Sequence, residues 1–263
     1  MPISLPAPDR RRLATPALPL VVCQVRIDNQ DRLAESGAGR KIYEALGGRS
    51  GSYPKLTQLQ ASRVTVTPGA ALPAEQVQHA SERGWRFTSD PENKWTLSVL
   101  PDSLAIETSE FPGWDDMRVR FRSLLEAVAK VECPAVEQRL GLRFVNLFTF
   151  GAGETMEAWS KYIHPEALGL ALHPTLGPGV IAAQQHSVMQ ISDEITCTVR
   201  IGPVRQDSGE LGFLVDLDSY REAAAPFDIE SIISAADVLN DTSVSVFHQL
   251  VTADLLEKLG QSE

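Results

Sequence analysis

The stretch Lys94-Trp-Thr-Leu-Ser-Val-Leu-Pro-Asp-Ser-Leu-Ala-Ile-Glu-Thr108 carries two short apolar runs with a tight turn between them. Successive side chains of a strand point to opposite faces, so the alternation in residues 94–100 and 103–108 predicts two half-buried strands. Pro101-Asp102 favours a reversal of the chain. The two strands should therefore pair antiparallel, which indicates an antiparallel sheet.

The segments on either side of this hairpin extend the pattern. Residues 85–88 precede it as a further strand, and Pro112-Gly113 opens a helical segment at residues 114–131. Its apolar residues recur three and four positions apart, which leaves one stripe for burial. They are Met117, Phe121, Leu124, Leu125 and Val128. This helix is therefore expected to cover one face of the sheet.

The same order of strands and then a helix recurs further along the chain. We predict strands at residues 20–27, 63–67, 136–150, 185–191, 195–201 and 211–217, and short helices at 42–46 and 154–163. A long helical region begins at the cap Asp228 and runs to residue 259, with Asn240-Asp241-Thr242 as the expected kink. The predicted fold class is α+β: an antiparallel sheet of meander strands with two long amphipathic helices packed on one face, and a possible internal duplication of a meander-plus-helix unit.

The ends of the predicted elements set the domain organisation. Residues 1–17 are predicted to be a disordered or frayed tail, because Pro16 and Pro19 interrupt their apolar stretch. Residues 18–263 are predicted to form a single α+β domain of two interlocked halves, about 18–150 and 151–263. Residues 28–60 and 165–180 are predicted to be long loops, since both are rich in glycine and polar or proline residues.

The composition limits which cellular environment and which partners are expected. The 263 residues carry a formal net charge of −10, which argues against nucleic acid as the partner because such binding rests on neutralising phosphates. The apolar runs are too short to cross a bilayer. The three cysteines lie far apart in the sequence and do not indicate a disulfide framework, so we expect a cytoplasmic protein. Frequent arginine and alanine indicate a GC-rich bacterial genome.

Signatures of catalysis and metal binding are weak. The chain has no Walker loop, no H-E-x-x-H and no G-x-S-x-G, so we predict no catalytic residue, no metal site and no cofactor. His164 and His173 lie in or beside a glycine- and proline-rich loop and are expected to be solvated loop residues. Asp216 and Asp218 lie two apart at the end of a strand, on one face, where they could hold a divalent ion or simply pair with arginines.

The most informative pattern is shared by several strands. Polar side chains alternate with apolar ones, so the face opposite the helices should bear arginines and carboxylates. The candidate binding residues there are Arg26, Glu107, Arg139, Arg143, Arg200, Asp216 and Asp218. One interpretation is a ladder of cross-strand ion pairs. The other is an open groove, in which Gly141 leaves room for an anionic ligand beside Arg139 and Arg143.

Several of these stretches together resemble a known family. They are Trp85-Arg-Phe-Thr-Ser-Asp90, Leu104-Ala-Ile-Glu-Thr108 and Arg139-Leu-Gly-Leu-Arg-Phe-Val-Asn146. These motifs are similar to those of a sporadically distributed prokaryotic family of unknown function, and the resemblance spans most of residues 20–260. The family contributes no activity or cofactor. Its patchy distribution implies a mobile-element, toxin–antitoxin or defence context. This chain has Asn240 where that family has a histidine.

Two functions from different classes remain open. The absence of a catalytic constellation favours a non-enzymatic binding protein that engages a partner protein or a small anionic ligand, and a homodimer is compatible with this interpretation. The alternative is a metal-dependent phosphodiesterase or nuclease-like enzyme that uses Asp216, Asp218 and Glu107 as ligands. That alternative requires the three carboxylates to converge in space.

Overall fold

The computed structural model describes residues 3–64, 79–90, 94–149, 156–180, 183–205 and 211–260. Over these ranges the chain forms one antiparallel sheet and five α-helices, which confirms the predicted α+β class. The strands are β1 Leu20–Ile27, β2 Lys55–Val64, β3 His79–Thr88, β4 Trp95–Leu100, β5 Ser103–Thr108, β6 Val136–Thr149, β7 Gln185–Gln190, β8 Ile195–Arg205, β9 Leu211–Arg221 and β10 Ala225–Pro226. The helices are α1 Ser36–Ala45, α2 Trp114–Ala129, α3 Pro165–Leu168, α4 Ile229–Leu250 and α5 Ala253–Lys258.

The sheet is a meander into which the first strand is inserted. Its order is β2-β3-β4-β5-β1-β6-β9-β8-β7, and β10 pairs with β6. The central strand β1 pairs antiparallel with β5 on one side and with β6 on the other. Within the described ranges, no helix has the length and apolar character that crossing a membrane requires.

The helices lie on the apolar face of the sheet. Val21, Cys23 and Val25 of β1 are fully buried there together with Phe121 of α2 and Ile232 of α4. Asp228 caps α4 as predicted, because its carboxylate accepts a hydrogen bond from the Ser231 backbone N–H at 2.8 Å. The opposite face carries the polar residues of each strand, as the alternation predicted. An internal duplication of the meander stays a prediction.

Several elements differ from the predicted ones. The short helix predicted at 42–46 is the end of the longer α1, and β2 begins at Lys55 within the predicted loop. The segment predicted as a helix at 154–163 contains a 3₁₀ helix, Met156–Lys161. The terminal helical region passes through Asn240 without a break and is interrupted at Val251 and Thr252 instead. Thr252 then caps α5 by accepting from the Leu255 N–H.

Residues 28–60 are more ordered than a loop because they cover a large aromatic side chain. The Trp85 indole lies against Gly39 of α1, where an added Cβ would stand 2.2 Å from the ring. The indole N–H also donates to the Leu33 carbonyl at 2.8 Å. Only glycine permits this close approach, so the packing of one tryptophan orders the preceding segment.

Two buried clusters share the sheet and meet along α4. The first contains residues of β1, β3–β6, α2 and the first part of α4, up to Leu239. The second contains residues of β8, β9 and α5, and Val246 and Phe247 of α4. Between them α4 carries buried polar residues: Asn240, Thr242, Ser243 and Ser245. The middle of α4 is therefore a polar seam between two hydrophobic clusters.

Residues 3–18, here called the N-terminal strap, lie on the helical side of the sheet. Leu5, Leu13 and Ala17 pack against the second cluster. The Thr15 N–H donates to the Leu259 carbonyl at 3.0 Å, and the Leu147 N–H donates to the Ala17 carbonyl at 2.9 Å. The segment predicted as a tail has no regular secondary structure in the described residues, and it contacts the folded chain at Leu5, Leu13, Thr15 and Ala17.

Candidate functional site

The polar face of the sheet is defined by the side chains that point away from the helices. In register across the central strands lie Glu107 of β5, Val22 of β1, Arg143 of β6, Asp218 of β9 and Thr198 of β8. Every predicted binding residue lies on this face. Its described charged residues are Lys55, Arg86, Arg26, Glu107, Arg139, Arg143, Arg200, Asp216 and Asp218.

Asp216 is the centre of the ion-pair network. It is 2% exposed, although it lies on the polar face. Arg143 donates to its two carboxylate oxygens from Nε and Nη2, each at 2.7 Å, and Arg200 adds a bond of 3.1 Å from Nη1. The bidentate pairing raises the pKa of Arg143, chiefly through its hydrogen bonds to Asp216. Two guanidinium groups therefore compensate one buried carboxylate.

Arg139 takes the space that we expected Gly141 to leave for a ligand. A Cβ added at Gly141 would stand 2.7 Å from the Arg139 Nη1 atom. The guanidinium carbon of Arg139 lies 4.4 Å from the centroid of the Tyr220 ring, and its Nη2 donates to Asp218 at 3.2 Å. Gly141 is therefore needed for the arginine to lie flat against the sheet. This part of the polar face is a closed ladder.

Three further cations on the polar face have no ion-pair partner among the described residues. Arg26, Arg86 and Lys55 are exposed, and no described carboxylate lies within salt-bridge distance of them. Arg26 also lies directly opposite Arg139 in the β1–β6 register. Like charges at opposed positions of a sheet are destabilising. Arg26, Arg86 and Lys55 can therefore pair with an anion from outside the described structure.

The carboxylates of the proposed metal site do not converge. Asp216 and Asp218 lie on β9, whereas Glu107 lies on β5 with β1 and β6 between them. At about 4.8 Å per strand spacing this is a separation of about 14 Å, far beyond the 2.0–2.6 Å of a metal–oxygen bond. Within the described ranges, no three histidine, cysteine, aspartate or glutamate side chains form a group that could hold a metal ion. The expected ligand set Asp216, Asp218 and Glu107 is therefore wrong as a single site.

The two loop histidines and the three cysteines lie in ordinary structural surroundings. The Nδ1 of His173 accepts hydrogen bonds from the backbone N–H groups of Thr175 and Leu176, both at 3.2 Å, so it shapes a turn. His164 precedes α3 and is exposed. Cys23, Cys133 and Cys197 are free thiols.

Local sequence patterns do not reveal the cavity on the helical side of the sheet. It has a volume of about 870 Å³ and lies between the N-terminal strap, α4 and the start of α2. Its lining comes from segments far apart in the chain, so local periodicity carries no trace of it. The one available signal was Asn240, a polar residue on the apolar stripe of α4.

Comparisons with known proteins add no relative. No family model, no curated protein and no solved structure matches the chain. The residues and their geometry therefore carry the functional argument.

Proposed function

We propose that this is a non-enzymatic binding protein whose polar face receives an acidic segment of a partner protein. The supporting observation is a local excess of cations on a chain with a formal net charge of −10. The described part of the face carries six cations (Lys55, Arg86, Arg26, Arg139, Arg143 and Arg200) against three carboxylates (Glu107, Asp216 and Asp218). Charge complementarity of this kind steers an anionic partner to one surface.

The spacing of the cations favours an extended partner over a single small anion. From Arg200 on β8 to Arg86 on β3 the sheet crosses six strand spacings, which is about 29 Å. A phosphate or a carboxylate would contact one or two guanidinium groups. An extended peptide of about nine residues covers the whole distance, since a strand rises about 3.3 Å per residue.

The other interpretations have less support. A small anionic ligand would contact only one or two of the unpaired cations Lys55, Arg86 and Arg26, which lie on the separate strands β2, β3 and β1. The phosphodiesterase alternative loses its ligand set, as described above. A mobile-element, toxin–antitoxin or defence context and a homodimer both stay proposals; the former rests on the family resemblance.

Reversing the charge of the unpaired arginines tests the proposal. Arg26→Glu with Arg86→Glu is expected to weaken binding of a fluorescent nine-residue glutamate-rich peptide by about tenfold or more, or about 1.4 kcal/mol. Neither arginine holds an ion pair among the described residues, so the fold should survive the exchange. Fluorescence anisotropy at low salt measures the affinity, and binding should weaken as salt rises to about 0.15 M.

Arg49→Glu is the matched control, because Arg49 is an exposed arginine in the 3₁₀ helix that follows α1. Equal binding of the peptide by the wild type and the double variant would overturn the proposal. So would equal binding of a serine–glycine peptide. Tighter binding of single-stranded DNA than of the peptide would assign the face to nucleic acid instead, and displacement by equimolar pyrophosphate would assign it to small anions.

A further inference from the structure

The cavity beneath the N-terminal strap lies on the face of the sheet opposite the polar face. Its floor includes Phe144 of β6 and Leu217 of β9, which are paired across the two strands. Phe111, between β5 and α2, packs edge to face on Phe144 with ring centroids 5.6 Å apart. Phe247 of α4 lines the cavity as well. Its volume of about 870 Å³ falls in the range of small-molecule sites.

Asn240 is a polar residue that lines this cavity. It is 8% exposed, and its carboxamide makes no hydrogen bond to any described residue. It occupies the apolar stripe of α4, between Ala236 one turn before it and Ser243 one turn after. A polar residue at such a position is expected where a ligand completes its hydrogen bonds.

Further hydrogen-bonding groups line the cavity near Asn240. Asn146 is 6% exposed and donates its Nδ2 to the Val215 carbonyl at 3.0 Å, which leaves its amide oxygen as an acceptor. The Ser243 hydroxyl donates to Ser219 at 2.8 Å, so its oxygen also remains an acceptor. The cavity thus offers both donors and acceptors among aromatic side chains.

Four charged residues at the edge of the cavity form two ion pairs. Arg10 pairs with Asp241 at 2.6 Å, and Arg118 pairs with Asp237 at 2.9 Å. The Trp114 indole N–H also donates to Asp237 at 2.7 Å. These four charges are matched within the protein and so do not select a charged ligand, and Arg12 and Asp115, which also line the cavity, carry opposite charges.

We propose that this cavity binds an uncharged heteroaromatic compound of the nucleobase or nucleoside class. A planar ring packs against Phe111, Phe144 and Phe247, and the Asn240 carboxamide pairs with its hydrogen-bonding edge. A carboxamide presents a donor and an acceptor in one plane, which matches the paired donor and acceptor of a base such as adenine. The ring of the ligand supplies the apolar contact, and the Asn240 carboxamide selects which hydrogen-bonding edge of that ring is bound.

Next to the cavity the strap bonds to α4. Its ion pair from Arg10 is 72% exposed on the arginine side, and the Pro6 carbonyl accepts one hydrogen bond from Ser245 at 3.0 Å.

Titration of the full chain with adenosine, guanosine and uridine tests the proposal by calorimetry and thermal unfolding. At least one nucleoside should bind and raise the melting temperature. Asn240→Leu should abolish that rise, because the carboxamide that pairs with the edge of the base has been removed. Val244→Phe, which fills the cavity from α4, should abolish binding independently. Gln249→Leu, at an exposed position of the same helix, is the matched control.

Binding lost in both cavity variants and kept in Gln249→Leu supports the site. Absence of binding by all three nucleosides would overturn it. Binding that survives Asn240→Leu or Val244→Phe would place the ligand elsewhere and would likewise overturn it. The acidic-peptide experiment on the polar face uses different residues, so the two proposals fail independently.

Discussion

Arg221→Leu is expected to lower the free energy of unfolding by about 3–5 kcal/mol at pH 7, the largest effect of any substitution considered. Arg221 of β9 forms an ion pair with Glu137 of β6, and Glu137 is 1% exposed. One carboxylate oxygen of Glu137, Oε2, already lacks a hydrogen-bond partner among the described residues. Removing the guanidinium leaves a buried carboxylate without its counter-charge.

The loss of stability should depend on pH with a defined sign. Desolvation raises the pKa of Glu137 in the folded protein, against the lowering effect of Arg221. A raised pKa means that the protonated carboxyl favours the folded state, so stability falls as pH rises through the folded-state pKa. Without Arg221 that pKa rises further. The destabilisation should therefore be largest at neutral pH and shrink as pH falls toward the unfolded value near 4.5.

Urea unfolding at neutral and acidic pH measures this effect. The double variant Glu137→Leu with Arg221→Leu is the control, since replacing both members of a buried pair by apolar residues is often neutral or stabilising. A single variant as stable as the wild type at pH 7, or a loss that does not change with pH, would contradict the assignment of a buried charged carboxylate.

Arg143→Met should cost about 2–3 kcal/mol, the second largest effect. Methionine keeps an unbranched apolar stem but removes the two hydrogen bonds to the 2%-exposed Asp216. Arg200 remains as a guanidinium partner of that carboxylate in the described structure, so the loss stays below that for Arg221. Chemical denaturation followed by circular dichroism gives the free energy of unfolding directly.

Arg26→Met is the matched control for Arg143. It lies on the neighbouring strand and the same face, but it is exposed and makes no ion pair with a described residue. Its replacement should change stability by no more than about 0.5 kcal/mol. If Arg143→Met costs no more than Arg26→Met, the bidentate bridge contributes nothing to stability, and the polar face has to be regarded as a set of independent side chains.

Local periodicity predicted the strands and their faces well because both follow from nearest neighbours in the chain. Residues 20–27 and 103–108 were predicted as strands with the bounds that β1 and β5 have. The alternation in β6 placed Arg139 and Arg143 on the polar face, where the structure has them. A period of two residues needs no knowledge of the rest of the molecule.

The pairing of strands that are distant in the chain was beyond reach for the same reason. Arg143 bonds to Asp216 because β6 lies beside β9, more than sixty residues later in the chain. Nothing in the local sequence distinguishes that neighbour from β7 or β8. The metal-site hypothesis failed at this step, since the positions of β1 and β6 separate Glu107 from Asp216. The cavity was missed likewise, because its walls come from the strap, β6, β9 and α4.

The N-terminal strap has a consequence for the order in which the protein acquires its structure. Thr15 bonds to Leu259, 244 residues away, and β1 occupies the centre of the sheet between two strands made after it. Contacts of such long sequence separation slow folding, because loop-closure entropy is lost before they form. During synthesis the apolar side chains of the strap therefore stay exposed to solvent until α5 and Leu259 have been made.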